Sequence, residues 1–171
     1  MNGTRTAYLT GVGNFLFKFR NNILGLNIRV SKFILGHNAE CTLCLLGGEP
    51  APRQAETFVH FFFECVYSER YRIMVLARYF PEIAGLGTDE KKNFWFNGLM
   101  NVVSDKRNLF ISNVVSIFNY SIWELKLQKN LLPVNTFHEN LKFSIRKLLK
   151  FNKIQDAKRD NNYFICREDL G

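Results

Sequence analysis

A mostly α-helical fold is what this sequence predicts: a small helical domain held by one structural zinc, followed by a helical tail. Three observations predict it. Apolar residues recur at helical spacing through most of the chain, and no period-two alternation lasts more than a few residues. Cys41, Cys44, His60 and Cys65 form a C-x2-C-x15-H-x4-C set, a two-plus-two arrangement of soft ligands that suits zinc. Hydrophobic residues make up 47% of the 171, enough for one domain with a real core or two small lobes. The expected division is 1–100, a zinc-binding helical domain, and 101–171, a basic helical C-terminal region.

Taken in order, residues 1–13 lack periodicity and carry glycines, so a loose start is expected. From Asn14 onward Phe15, Phe19 and Ile23 fall one turn apart with Leu16 beside them, which predicts a helix stopped by Gly25. Asn27 is placed to cap a second short helix through IRVSKFI, and the pair forms a hairpin leading into the zinc turn. Cys41 and Cys44 share a tight turn whose two intervening residues let both thiolates face one ion. After a GGEPAP loop, Thr57 is expected to cap the short helix that carries His60. His60 and Cys65 are five apart, about 140° around a regular helix, so they reach one ion only if the helix loosens. It is expected to end near Glu64, with a new helix after Tyr67. Phe61, Phe62 and Phe63 cover most of a helix circumference, which calls for enclosure by neighbouring helices or docking onto another protein.

Downstream, SERYRIMVLARYF reads as a helix ended by Pro81, and GLGTDEKK as a polar break before the short apolar helix NFWFNGLMNVV. Ser104 or Asp105 opens a longer helix to about Lys129, with Leu109, Val114, Ile117, Ile122 and Leu125 on its apolar face. Thr136-x-x-Glu139 reads as a capping box for the last helix, whose seam is Leu141, Ile145 and Leu148.

The net charge of +8 and pI near 9.5 point to an anionic partner, nucleic acid first and an acidic protein or membrane surface next, against simple solubility. Arg20, Arg29 and Lys32 lie beside the zinc turn. Lys142, Arg146, Lys150 and Lys153, with Lys147 nearby, form a stripe on the last helix that could track a phosphate backbone or serve as a solvated face. No signal peptide is visible, and the longest uncharged run, Asn108 to Trp123, is too short to span a bilayer. Three cysteines committed to a metal, with Cys166 left over, fit a reducing compartment, the cytoplasm or nucleus.

Four protein ligands leave no open coordination position, so such a zinc holds a fold together and activates no water. The competing reading is buried, reduced cysteines beside a surface histidine. His37, four residues before Cys41, is the credible substitute ligand. Asp105, Glu124, Glu139 and Asp156 are scattered, and His138 reads as a surface residue in a helix first turn. Gly47-Gly48 lacks the Lys-Ser/Thr of a phosphate-binding loop. No nucleophile with a base is apparent, and the isolated chain is expected to be non-enzymatic.

NFLFKFRNNILGLNIRVSKFI, then CTLC, then ETFVHFFFEC resembles the zinc-binding segment that follows the polymerase in reverse transcriptases of non-LTR (LINE-type) retrotransposons. The shared order is a helix pair ending in Leu-x-x-Asn/Thr-x-Arg, a C-x-x-C, and Glu/Thr-x-x-His before a terminal Cys. SIWELKLQKNLLPVNTFHENLKFSIRKLLKF is similar to the tail of such elements. The resemblance spans about residues 14–165 and is strongest over 14–70. It implies zinc on Cys41, Cys44, His60 and Cys65, in a helical region that helps a polymerase grip template RNA or target DNA, with that polymerase domain as a further partner. The sequence has no F/Y-x-D-D pair and no Arg/Lys-Pro-Asp after the knuckle, so polymerase and endonuclease motifs are missing, and GGEPAPRQA is longer than a minimal knuckle loop. The chain reads as a C-terminal piece of such a protein or a truncated relic.

Overall fold

The computed structural model describes residues 3–48, 54–83, 85–97 and 105–151, with side chains over 10–48, 54–83, 85–96 and 110–147. They are mostly helical: α1 (Gly3–Arg20), α2 (Asn27–Val30), α3 (Thr42–Gly47), α4 (Val66–Tyr79), α5 (Thr88–Asn97), α6 (Asp105–Gln128) and α7 (Val134–Phe151). A π turn, His60–Glu64, precedes α4, and a 3-10 turn, Pro81–Ile83, follows it. The extended pairing among the described residues is one antiparallel bridge between Glu40 and Ala55. The chain forms two compact units, residues 1–69 with 119–131, and 70–118 with 132–171. The 100/101 boundary read from the sequence lies outside the described residues.

In the first unit α1 already runs from Gly3, so the loose start expected for residues 1–13 is not found. Packing overrides the weak helix propensity of glycine here. Val12 and Phe15 are buried, and a methyl group on Gly11 would lie 3.1 Å from the Tyr120 hydroxyl oxygen, so the small residue admits an α6 aromatic. The helix stops at Asn22 rather than Gly25. Asn22 is left-handed (φ 50°), its N–H reaches the Phe19 carbonyl at 3.0 Å, and the Ile23 N–H reaches Lys18 at 2.8 Å, which closes the last turn. An aromatic core follows: Phe19 packs edge-on to Phe62 at 4.9 Å, Phe58 lies 5.1 Å from Phe62, and Phe61 meets Trp123 of α6 at 6.1 Å. Phe61 and Phe62 are thus enclosed, while Phe63 stays half-exposed beside Phe58.

In the second unit Tyr71 of α4 stacks on Phe137 of α7 at 4.2 Å and donates its hydroxyl to the Leu132 carbonyl at 2.6 Å. Phe80, Phe94, Trp95 and Phe118 continue ring to ring, with Trp95 4.7 Å from Phe118. Val114, Ile117, Leu141 and Ile145 are buried as their spacing predicts, as are Ile122 and Leu125 of α6 in the first unit, whereas the Leu109 and Leu148 side chains lie outside the described set. Three local expectations change. DEKK belongs to α5, which opens at Thr88 and puts Asp89 and Glu90 in the first turn, where helix dipoles favour acids. Thr136 lies inside α7, which starts at Val134, and the carbonyl of Pro133 just before the helix accepts the Phe137 N–H at 2.9 Å. His138 is buried, its Nε2 3.1 Å from the Tyr79 hydroxyl.

Candidate metal centre

The ligand cluster is built from two halves of the first unit. Cys41 is the extended residue that enters α3 (ψ 123°), and its carbonyl accepts the Leu45 N–H at 3.0 Å. Cys44 sits three residues on, one helical turn later, so both thiols face the same side. The second half is drawn alongside by the Glu40–Ala55 bridge: the Cys41 N–H bonds Gln54 at 2.9 Å and the Glu56 N–H bonds Ala39 at 2.8 Å. Thr57 caps as expected, its Oγ1 accepting the His60 N–H at 3.0 Å. The loosening required between His60 and Cys65 takes the form of the π turn. Its i→i+5 bond, Cys65 N–H to the His60 carbonyl at 2.7 Å, stacks residues five apart on one side. Cys65 then turns extended, and α4 starts directly at Val66, earlier than the position after Tyr67 that the sequence suggested.

The ligand atoms of Cys41, Cys44, His60 and Cys65 all lie within 4.8 Å of one another, close enough to hold one metal ion. The Cys41 and Cys65 sulfurs are 3.9 Å apart, those of Cys44 and Cys65 3.7 Å, and Cys44 Sγ is 3.4 Å from His60 Nε2. Cys41 and Cys65 are fully buried, and the His60 ring is buried with Nδ1 lacking a hydrogen-bond partner among the described residues. His60 is therefore not the surface histidine of the competing reading. His37 does not join the cluster; its exposed ring meets Asn27 Oδ1 at 3.3 Å.

As bare thiols the three cysteines do not titrate alike. The Cys41 thiol donates to Cys65, which holds Cys65 down at about 5 against the cost of burial, with help from the Ser68 and Tyr67 backbone. Cys41, as the donor, is pushed far up by the same bond and by burial. Burial, then the Cys65 charge, lifts Cys44 to about 11. Three sulfur anions crowded in an apolar pocket repel one another, and a cation among them relieves that repulsion.

A second layer braces the cluster, and sequence reasoning missed it. Glu56 is fully buried; Oε1 accepts the Asn27 N–H at 2.9 Å, Oε2 accepts the Thr42 N–H at 2.7 Å, and Lys126 of α6 donates to Oε1. Lys126 also donates to Asn27 Oδ1 at 2.8 Å and lies 5.4 Å over the Trp123 ring. The expected side-chain cap of α2 by Asn27 is not formed: Asn27 is the first residue of that helix, and its side chain donates to the Glu40 carbonyl at 2.7 Å and Thr42 Oγ1 at 3.1 Å. One carboxylate thus satisfies the first N–H of α2 and of α3, where helix dipoles favour a negative charge. The available signal was the Asn of the Leu-x-x-Asn-x-Arg turn and the Glu just before Thr57, but nothing local marks Lys126 as their partner.

The basic residues fall in separate places. Arg20 ends α1 and is exposed, Arg29 in α2 is half-exposed, and Lys32 is exposed in the turn that follows. On α7, Lys142 is half-buried 3.5 Å from Glu139, Arg146 is half-buried, and Lys147 lies 5.2 Å over the Phe143 ring. The Lys150 side chain and all of Lys153 lie outside the described residues. Among the described residues no helix is long and apolar enough to cross a membrane. No protein-family model matches this chain, and neither does any curated protein or solved structure in the comparisons.

Proposed function

We propose that this chain is a non-catalytic, zinc-stabilised accessory domain of a non-LTR retrotransposon reverse transcriptase, gripping the backbone of template RNA or target DNA. The observation that carries the reading is the largely buried Cys41–Cys44–His60–Cys65 cluster, in which Cys44 is half-buried, set in the order of helix, C-x-x-C and His-Cys segments that the resemblance calls for. Three thiolates and one imidazole with no oxygen donor suit zinc, and a tetrahedral zinc with bonds near ~2.0–2.3 Å spaces its ligand atoms about 3.5–3.8 Å apart. Three of the six separations, 3.4, 3.7 and 3.9 Å, are close to that spacing, and all lie within 4.8 Å. When bound, zinc supplies a crosslink between α3 and the π turn and no reactive water. The net charge of +8 supports a polyanionic partner, with Arg20, Arg29 and Lys32 in one unit, Lys142, Arg146, Lys147 and Lys150 on α7 of the other, and Lys153 following in the sequence.

The test is a salt titration of the zinc-loaded chain against an RNA hairpin and a DNA duplex, preceded by elemental analysis expected to find one zinc per chain. With about four to six phosphate contacts, log K should fall with log salt at a slope of roughly −3 to −5. Replacing Lys142, Arg146 and Lys150 together by Glu should weaken binding about tenfold or more by the same counterion argument. No binding, or an affinity indifferent to salt, would instead favour a domain that docks onto protein through its apolar surface.

A further inference from the structure

The segment between α2 and Cys41 carries the two most exposed large apolar side chains of the described residues, Leu35 and Phe33. Phe33 is 87% exposed, Ile34 55% and Leu35 104%, three in succession. They do not hang on a slack loop. Consecutive turns hold the segment: the Phe33 and Ile34 N–H groups both bond the Val30 carbonyl at 3.0 Å, and the His37 N–H bonds Ile34 at 3.1 Å. Gly36, left-handed at φ 79°, closes the turn. A hydrogen-bonded backbone therefore presents a fixed apolar tip to solvent, at a cost in exposed apolar surface that folding alone does not explain.

The tip's setting says what it suits. Lys32 immediately precedes it, Arg29 lies one turn before, and neither side chain makes a hydrogen bond or ion pair among the described residues. Residues 1–39 hold Arg5, Lys18, Arg20, Arg29 and Lys32, and the first acid of the chain is Glu40. An apolar pocket on a protein would recognise the tip without needing this unopposed charge. A nucleic acid needs both: phosphates for the cations and base faces for the apolar groups. Phe, Ile and Leu are the side chains that wedge against base steps, and an exposed ring next to cations is how unpaired bases are held.

We infer that Phe33–Leu35 is a base-contacting tip, with Phe33 stacking on an unpaired base or strand end while Arg29 and Lys32 hold the adjoining phosphates. This deepens the proposed function and rests on it, since it names where that surface reads unpaired rather than paired nucleotides.

The experiment uses the full zinc-loaded chain, wild type and a Phe33→Ala/Leu35→Ala variant, against an RNA hairpin carrying a single-stranded tail and the same hairpin made blunt. Wild type should prefer the tailed hairpin. The variant should lose about tenfold on the tailed RNA, little on the blunt one, and keep the same salt slope because its cations are intact. A Phe33→Trp variant should keep the tail preference, and its introduced indole should be quenched by the tail, a direct reading of stacking. Both positions are exposed, so zinc content and unfolding midpoint should match wild type. Equal affinities of wild type and the Phe33→Ala/Leu35→Ala variant for the tailed RNA would overturn the tip and leave the accessory-domain reading standing. Wild type that binds neither RNA would overturn both. Tip-dependent binding to phosphatidylserine vesicles, with RNA binding unaffected by the substitutions, would overturn it in favour of a membrane surface.

Discussion

Glu56 has no access to solvent, so everything that satisfies its carboxylate must come from the protein. Two backbone N–H groups and the Lys126 ammonium do so. Removing one member of a buried, hydrogen-bonded ion pair strands the other, which typically costs about 3–5 kcal/mol. Lys126→Met should lower the stability of the first unit by about that much, read as a shift in urea midpoint. Glu56→Gln should cost a similar amount, because the amide nitrogen cannot accept one of the two backbone N–H groups and Lys126 is left with the neutral Asn27 Oδ1. The double variant should recover part of the Lys126→Met loss, a coupling that a double-mutant cycle measures. Glu124 gives the first unit a pH signature. Burial raises its carboxyl above the ordinary range, against a hydrogen bond with Tyr120. A raised folded value means stability is greatest below the unfolded pKa, roughly 4.3, and is lost as pH rises through the folded one. Glu124→Gln keeps an acceptor for Tyr120, so it should flatten that stretch of the stability profile and be the more stable protein at neutral pH. Equal slopes in the two proteins between about pH 4.5 and 7.5 would contradict this.

The helices show which parts of a sequence speak for themselves. α4, α6 and the body of α7 were legible because repeating apolar positions report a buried face without reference to the rest of the chain. The ligand set was legible because four soft donors at these spacings have few other uses, and the need for a widened turn between His60 and Cys65 followed from angle alone. The ends of elements were less legible. Asn22 stops α1 because its side chain tolerates a left-handed backbone, a property it shares with the Gly25 three residues on. The Glu56–Lys126 pair was invisible because its members stand 70 residues apart, and no local pattern links a lysine on a helix to a glutamate in a loop. Gly47 illustrates close approach at the end of α3. A methyl group there would lie 1.8 Å from Cζ of Tyr67, so the first turn of α4 fits only against a bare backbone. Gly47→Ala should therefore destabilise by about 1–3 kcal/mol, as overpacking does. Tyr67→Leu, which removes the obstructing phenol, should make the same glycine substitution much less costly; thermal unfolding of the single and double variants tests this.

At the scale of the whole molecule, the candidate metal cluster and the aromatic packing converge on the first unit. Apparent zinc affinities of small structural sites amount to about 10–16 kcal/mol, larger than the net stability of most domains. Chelation, or Cys44→Ser, should therefore unfold at least residues 37–66, seen as lost helical circular dichroism and lost amide protection there. Protection should persist longest in the second unit, whose core of Phe80, Phe94, Trp95, Phe118 and Phe137 contains no ligand. Unchanged protection over residues 37–66 after complete metal removal would show that apolar packing alone suffices. The first unit is also discontinuous: the chain leaves it after Glu69 and returns at Asn119. This has a consequence in time. A ribosome adding about 5–20 residues per second emits Lys126 roughly 4–14 seconds after Glu56. Until then the nascent knuckle holds a carboxylate without its cation and rings of Phe15 and Phe61 without Trp123. Under the proposed zinc assignment, capture of the ion during synthesis would keep those two cysteine-bearing halves from wandering while the rest of their unit is still being made.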